Sequence, residues 1–557
     1  MPDSIHPDLL KFAESISKEY ISSVLLIDDQ LFFSDTNNNE SSIDASEFID
    51  VFARNRVNVC PFLWTKMEQF ETIVGLVNSN DVSILDWKIQ LQEQYSAEAL
   101  DSDVMDGGDR GINAKKLLQS IIEQESTAPH LIIIYTNEIS EVQEYLSHLH
   151  ESNKGSCLLE NNHIWISSNN NFRITLFFKD GVNVHGDETK WVIHNSGEMA
   201  SFIFLEFAKF HKGIIPLSLL HSLSILRHST SKLLTVFNEK LDPAFVIHKA
   251  LSPEPTDGDT LLVQAFLDAF SALFFYQNRE NINFDKLAQA WLDEKESLFG
   301  EGEIKISLKL ENNINRKLVI DHNERKKWIK KGYPLYLQDL ITEEICAKGH
   351  ISQDSICYAT KEWIHEFDYH GNMFAKVNQI FASYDPNTMR IANENFAVLT
   401  HHKSIFSPGK DYVPVMMLGC VIQKMGKEDC FLCIQQPCDC LRITDERQFL
   451  FLPLSLSPEK KFDIIIQDPT TKEHKRMAVN RDKSYYLKTI AFGSQQEDHV
   501  VRAIKDEIGN YVFIDKNNER FVWCCDIKET FALKFLNDYV YRMTRIGVDQ
   551  SEWLRRS

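Results

Sequence analysis

The segment SVLLIDDQLFF, residues 23–33, contains an apolar strand that ends on two adjacent aspartates, Asp28 and Asp29. Two neighbouring carboxylates repel each other, and each loses favourable hydration when it is buried. A divalent cation, a phosphate site or exposure to solvent would each offset that cost. The rest of the sequence has to distinguish between these explanations.

Four more apolar stretches continue this pattern, and segments with helical periodicity separate them. They are VNVCPFLW (57–64), DVSILDWKI (81–89), HLIIIYTNE (130–138) and FRITLFFKDG (172–181). Near-continuous apolar strands that alternate with helices are typical of a parallel sheet covered on both faces. The sequence therefore predicts an N-terminal α/β domain over residues 1–190, with insertions between its elements.

Polar residues stand at the ends of these predicted strands: Asp28, Asp29, Asp86, Thr136 and Lys179. Ligand sites of open parallel sheets lie beyond the carboxyl ends of the strands, so these side chains are expected to converge on one edge. Three carboxylates suit Mg²⁺, which prefers oxygen ligands. Asp86 would then act as a nucleophile toward a phosphoryl group, whose oxygens Lys179 and the Thr136 hydroxyl would contact.

The order of these residues over positions 23–180 resembles the receiver domain of two-component signalling. The resemblance implies a flavodoxin-like, doubly wound parallel sheet, with Asp86 as phosphoacceptor and a histidine kinase as partner. It implies that Thr136 and Lys179 contact the phosphate. It also implies a set of Mg²⁺ ligands, namely Asp28, Asp29, Asp86 and the backbone carbonyl of Lys88.

There are two alternatives to the assignment of these receiver residues. If NHIWISS (162–168) is the fifth strand, Lys179 is not the receiver lysine and that role is vacant. Haloacid-dehalogenase-type phosphatases also use an aspartyl nucleophile on a similar sheet, with a second aspartate two residues later. Lys88 occupies that position after Asp86, which disfavours a phosphatase.

Residues 191–394 are predicted to be a helical region. SPEPTDGD (252–259) is a polar break, and TLLVQAFLDAFSALFFYQN (260–278) is expected to be a buried core helix rather than a partner interface. The basic stretch NERKKWIKKG (323–332) is expected to be a solvated helix face rather than a contact for nucleic acid.

Residues 395–557 contain short β-rich runs and a terminal helix, which predict a partly open barrel or a small sandwich. The run CFLCIQQPCDC holds four cysteines that could bind Zn²⁺: Cys430, Cys433, Cys438 and Cys440. Strand geometry would place Cys430 and Cys433 on opposite faces, so buried free cysteines are expected instead.

Composition restricts the function classes. The formal net charge of −21 disfavours nonspecific attraction to DNA or anionic membranes. No signal peptide or membrane-spanning run is evident, and eleven cysteines without an export signal indicate reduced thiols, so a cytoplasmic protein is expected.

The turn QQPCDCLRI (435–443) resembles a signature in receiver proteins of bacterial anti-phage phosphorelays. The whole layout resembles the receiver (DtcB-type) component of the Detocs phosphorelay, which implies a phosphate sink beside a receiver-linked effector. No separate catalytic motif is evident, so a chain that is not otherwise an enzyme is expected. A DNA-binding transcriptional regulator and a scaffold with a degenerate receiver fold are the alternative functions.

Overall fold

The computed structural model divides the chain into two compact units, residues 1–297 with 322–333 and residues 298–321 with 334–557. The predicted boundaries at residues 190 and 394 remain a prediction. The described residues are 6–31, 44–91, 111–123, 129–153, 157–167, 172–182, 184–251, 255–277, 284–296, 302–308, 314–332, 335–336, 339, 380–381, 385–404, 412–457, 462–468, 471, 473–480, 486–494 and 499–543.

The first unit is built on an eight-stranded, mostly parallel sheet. Its strands are β1 (Ser23–Asp28), β2 (Asn58–Leu63), β3 (Val82–Leu85), β4 (His130–Thr136), β5 (Cys157–Glu160), β6 (Ile164–Ser167), β7 (Phe172–Lys179) and β8 (Val192–Ile193). The parallel strands follow the order β2-β1-β3-β4-β7, with β8 paired parallel to β7. The first five have the order of a doubly wound, flavodoxin-like sheet, as the receiver resemblance implies.

Helices cover both faces of this sheet. They are α1 (Pro7–Tyr20), α2 (Ala45–Arg54), α3 (Phe70–Ser79), α4 (Ile112–Glu123), α5 (Ile139–Ser152) and α6 (Ser196–Phe210). The alternation of side chains along β1 sends Val24 and Leu26 into one apolar cluster with α1, α2 and α6. Leu25 and Ile27 enter the other cluster, with α3, α4 and α5. Burial on both faces explains why the strand sequence is continuously apolar.

The segment NHIWISS does not form the fifth parallel strand. Its strand β6 pairs antiparallel with β5 and with β7, and the hairpin turns at Asn161 and Asn162, whose φ angles are +50° and +58°. Asparagine tolerates this left-handed conformation better than most residues. The fifth parallel strand is β7, which pairs with β4 on the side away from β3 and ends on Lys179.

The helical middle region is present, but it is more exposed than the sequence suggested. It consists of α7 (Ile214–Val236), α8 (Asp242–Leu251), α9 (Pro255–Gln277), α10 (Phe284–Lys295) and α11 (His322–Lys331). The prediction that 260–278 is a buried core helix is wrong for its described side chains, since Leu261 is 55% and Leu267 is 52% exposed. The described part of the chain contains no helix that is both long enough and apolar enough to span a membrane.

The basic stretch at 323–332 is also not a simple solvated face. Within α11, Trp328 and Arg325 are buried, and Lys326 pairs with Asp293 of α10. The ion pair joins α11 to α10, and because Trp328 and Arg325 are buried, only part of the basic stretch faces solvent.

The second unit is β-rich, as predicted. It contains a hairpin, β9 (Gly302–Leu308) and β10 (Ile314–Ile320), and helices α12 (Pro386–His401) and α13 (Glu529–Met543). Its antiparallel sheet consists of β11 (Cys420–Lys424), β12 (Cys430–Cys433), β13 (Arg447–Leu456), β14 (Ile464–Gln467), β15 (His474–Val479), β16 (Lys488–Phe492), β17 (Ile504–Lys505), β18 (Tyr511–Ile514) and β19 (Arg520–Asp526). The choice between barrel and sandwich remains a prediction.

The four cysteines of this unit do not converge. Cys430 belongs to an apolar cluster with α13, whereas Cys433 and Cys440 belong to another cluster, and Cys438 is exposed. Alternation along β12 separates Cys430 from Cys433, as strand geometry requires.

Candidate functional site

The carboxyl ends of β1, β3, β4 and β7 meet at one edge of the parallel sheet. Asp28 ends β1, Asp86 directly follows β3, Thr136 ends β4 and Lys179 ends β7. The register aligns these ends, because Ile27 pairs with Leu85 and Thr136 pairs with Phe178. The topology therefore brings together residues that are far apart in the sequence.

Three carboxylates form the centre of the site. Asp28, Asp29 and Asp86 each offer an oxygen, and these oxygens lie within 4.8 Å of one another. In the described ranges this is the one group of three or more histidine, cysteine or acidic side chains arranged to hold a metal ion. Asp28 is only 1% exposed and Asp86 is 7% exposed, so solvent does not relieve the repulsion between them.

Backbone amides position the first two carboxylates. The Gln30 N–H donates to Asp28 Oδ1 at 2.7 Å, and the Gln90 N–H donates to Asp29 Oδ2 at 2.8 Å. The Asp86 N–H donates to the Ile27 carbonyl at 3.0 Å, which fixes the loop after β3 against β1. Asp28 Oδ2 is buried and has no hydrogen-bond partner in the described part of the chain.

The electrostatics of the site favour a proton or a cation. Burial, and to a smaller extent the Asp86 carboxylate, raise the pKa of Asp28 to about 7 against the opposing effect of Lys179. Burial also raises the pKa of Asp29, against the hydrogen bond from the Gln90 amide. The acidic cluster therefore holds more negative charge than its own surroundings stabilise.

Lys179 contacts the predicted nucleophile directly. Its Nζ lies 3.0 Å from Asp86 Oδ1, and both side chains are largely buried. The same Nζ lies 5.7 Å from the centre of the Tyr135 ring, within the range of a cation–π contact. Tyr135 escaped sequence analysis because it precedes the strand-terminal Thr136 and looks like one more apolar strand residue.

Thr136 and Lys88 flank this centre. Thr136 is buried, and its Oγ1 accepts a hydrogen bond from the Glu138 N–H at 3.1 Å. Lys88 Nζ lies 3.7 Å from Glu138 Oε1, so an ion pair joins the loops after β3 and β4. Glu138 was also missed, because a glutamate at a helix start has no distinctive sequence signal. The role of the Lys88 carbonyl remains a prediction.

These residues fit a divalent cation. Asp28 Oδ2 is an acceptor without a partner, two further carboxylates adjoin it, and all the donor atoms are the oxygens that Mg²⁺ prefers. Asp28, Asp29 and Asp86 would hold the ion.

Comparison with known families agrees with this geometry. The model of the response receiver domain matches residues 20–184, a range that contains the acidic cluster, Thr136 and Lys179. No curated protein and no solved structure gives a significant match. The chain therefore contains a receiver domain, which supports a phosphoacceptor in two-component signalling. Such domains generally bind Mg²⁺ through acidic residues and interact with a histidine-kinase-type partner.

Proposed function

We propose that this chain is a cytoplasmic phosphoacceptor protein of a bacterial two-component phosphorelay, phosphorylated on Asp86 by a partner histidine kinase. The observation that carries the proposal is the contact of Asp86 with Lys179 inside the acidic cluster of a receiver domain. A nucleophilic carboxylate needs a cation beside it to accept a dianionic phosphoryl group. The contact supplies one such cation at 3.0 Å.

The transfer is a single displacement at phosphorus. An Asp86 carboxylate oxygen attacks the phosphohistidine, an O–P bond forms, and the P–N bond breaks as the imidazole leaves and takes up a proton. During the transfer the Lys179 ammonium group shifts its ion pair from the Asp86 carboxylate to the phosphoryl oxygens. The Thr136 hydroxyl donates a hydrogen bond to one of these oxygens. A bound Mg²⁺ would neutralise phosphoryl charge during this transfer.

The covalent step is tested with the full-length chain and either acetyl phosphate or a phosphorylated kinase, with and without Mg²⁺. We expect a base- and hydroxylamine-labile acyl phosphate in the wild type only with Mg²⁺, and none in Asp86→Asn. Asp180→Asn is a matched control, because Asp180 is an exposed neighbour of Lys179 that pairs with His194. Phosphoryl label retained in Asp86→Asn would show that another residue is the phosphoacceptor. A wild type that never labels with its cognate kinase would favour the scaffold function.

We further propose that the phosphorylated chain is a phosphate sink in an anti-phage relay of the Detocs type. The support is the resemblance of the layout and the absence of a recognised catalytic motif after the receiver domain, so phosphotransfer is the one reaction assigned to the chain. A sink competes by mass action with an effector's receiver for the kinase's phosphohistidine. Stray phosphorylation then stays below the level that triggers the effector.

Cells that carry the kinase and the effector test the sink. With Asp86→Asn in place of the wild type and without phage, we expect stronger growth inhibition, since the competing acceptor is lost. Equal growth with loss of defence would show instead that phosphorylated Asp86 transmits the signal. Specific promoter binding that depends on Asp86 would favour the transcriptional regulator.

A further inference from the structure

The C-terminal part of α7 forms a layer with α8 and α9 that exposes many large apolar side chains. We call residues 232–251 and 255–277 the helical arm. None of the described side chains of α8 and α9 is buried. Ten large apolar side chains of the arm are between 36% and 78% exposed: Leu234, Val236, Leu241, Val246, Ile247, Leu251, Leu261, Val263, Leu267 and Phe270.

The arm has internal contacts, so its exposure is not that of an unpacked chain. Phe237 and Phe266 meet edge to face with ring centres 4.9 Å apart, which joins the end of α7 to α9. Lys249 of α8 pairs with Asp259 of α9 at 2.6 Å. A layer of helices is stable when a second layer covers its apolar side. Helices that are apolar on several sides are normally buried.

The base of the arm is fixed to the receiver sheet. Arg227 of α7 donates to Asp81 Oδ1 at 2.8 Å, and its guanidinium lies 4.3 Å from the centre of the Tyr20 ring. Asp81 in turn accepts from the Ser22 N–H at 2.8 Å. These residues lie at the amino ends of β1 and β3, opposite the edge that carries Asp86. A partner that binds the arm therefore leaves the phosphoacceptor edge free.

We propose that the helical arm is a dimerisation surface, on which the arm of a second copy of this chain packs to form a two-layer helical bundle. Full burial of one large apolar side chain covers ~60–120 Å², so ten half-exposed ones offer ~300–600 Å² per copy. A stable interface of standard size buries ~800 Å² per partner, of which ~450–520 Å² is apolar. The exposed apolar area matches what one such dimer needs.

Charge and symmetry favour a second copy over other occupants. The arm has three lysines, no arginine and five acidic residues, so it lacks the basic face that an anionic membrane or nucleic acid requires. Homo-oligomers with a two-fold axis, in which the same patch meets itself, are the commonest soluble assemblies. An apolar patch is complementary to itself, whereas a charged patch of one sign is not.

Sedimentation velocity of the full-length chain tests the dimer. Interfaces of this size have dissociation constants in the micromolar range or lower. We therefore expect the chain to be dimeric at ~50 µM. The double variant Ile247→Glu/Leu267→Glu should raise the dissociation constant at least ~100-fold, since it buries four carboxylates in the bundle. Leu158→Glu is the matched control, because Leu158 is 63% exposed on β5, outside the arm, and its dimer should persist.

Two further measurements separate interface loss from misfolding and from other occupants. The helical circular dichroism of the double variant should equal that of the wild type. Cross-linking of a mixture of ¹⁴N- and ¹⁵N-labelled wild-type chains should give intermolecular links among Lys232, Lys240 and Lys249. A wild type that stays monomeric at every concentration overturns the proposal, whether the arm stays exposed or another segment covers it. A dimer that the double variant leaves intact also overturns it.

Discussion

Replacement of Asp28 by asparagine should stabilise the metal-free receiver domain, although substitutions of buried residues usually destabilise. Asp28 is 1% exposed, and burial raises its pKa to about 7 from an ordinary 3.8. The folded protein therefore binds the proton more tightly than the unfolded chain does. Asparagine has nearly the same size and keeps an oxygen for the Gln30 N–H, but it never carries the charge.

The size of the effect follows from the linkage between proton binding and folding. Below pH 3.8 Asp28 is protonated in both states, so the free energy of unfolding carries no penalty from this group. Between pH 3.8 and about 7 only the unfolded chain ionises, so the free energy of unfolding falls with rising pH, and it levels off above the folded pKa. The variant should gain ~2 kcal/mol at pH 5 and up to ~4 kcal/mol at pH 7.

Hydrogen exchange detected by mass spectrometry measures this gain in stability in the full-length chain, with a chelator present to remove divalent cations. Amides of β1 and β3 should exchange more slowly in Asp28→Asn than in the wild type, by ~10-fold at pH 5 and at least ~100-fold at pH 7. Comparison at equal pH cancels the intrinsic exchange rate. Peptides from β13, in the second unit, should not change. Added Mg²⁺ should slow exchange in the wild type much more than in the variant.

Equal exchange of β1 and β3 in the two proteins at pH 7 would refute the reasoning, because it would mean that ionised Asp28 costs the metal-free fold nothing. Faster exchange in the variant at both pH values would show that the carboxylate stabilises the fold even without a cation.

Two other predictions concern ionisable groups on or beside α6. Glu206→Gln should lower the free energy of unfolding by ~3–5 kcal/mol, because it leaves Arg173 buried without its counter-charge, and adding Arg173→Met should recover most of the loss. A double-mutant cycle from urea unfolding checks this, and additive losses would contradict it. Burial lowers the pKa of His211 from 6.5 to about 4, so the unfolded chain binds more protons between these values and acid should cost ~3 kcal/mol of stability. The thermal midpoint of His211→Gln should depend less on pH in that window, and an unchanged dependence would place the titrating group elsewhere.

The parallel sheet could be predicted from the sequence because four of its five main parallel strands are continuous apolar runs that end on, or are followed by, a polar residue. Burial on both faces forces this pattern, and β1, β3, β4 and β7 all follow it. The convergence of Asp28 and Asp86 then follows from the common direction of the strands. The hairpin β5–β6 was ambiguous because a four-residue apolar strand has the same pattern whether it pairs parallel or antiparallel.

Contacts between side chains that depend on how helices and strands pack against each other could not be predicted from the sequence. An apolar helix such as α9 has the same sequence pattern whether it lies in the core or offers its apolar surface to a partner. Likewise, the presence of Trp328 in a basic stretch does not indicate which side of α11 is buried. Tyr135 lies beside Lys179 only because β4 and β7 are neighbours, and the intervening hairpin hides that pairing in the sequence.

The two adjacent aspartates after β1 had three possible explanations, and the structure bears on two of them, exposure to solvent and a divalent cation. Exposure to solvent does not explain Asp28, which is 1% exposed. The one ammonium group that contacts the cluster at close range in the described residues, Lys179, is bound to Asp86. Three carboxylates against one ammonium leave two negative charges uncompensated. A proton on Asp28 removes one of them below about pH 7, and the raised pKa of Asp28 reflects this preference. A divalent cation removes both, and it also gives a partner to the buried Asp28 oxygen that has none.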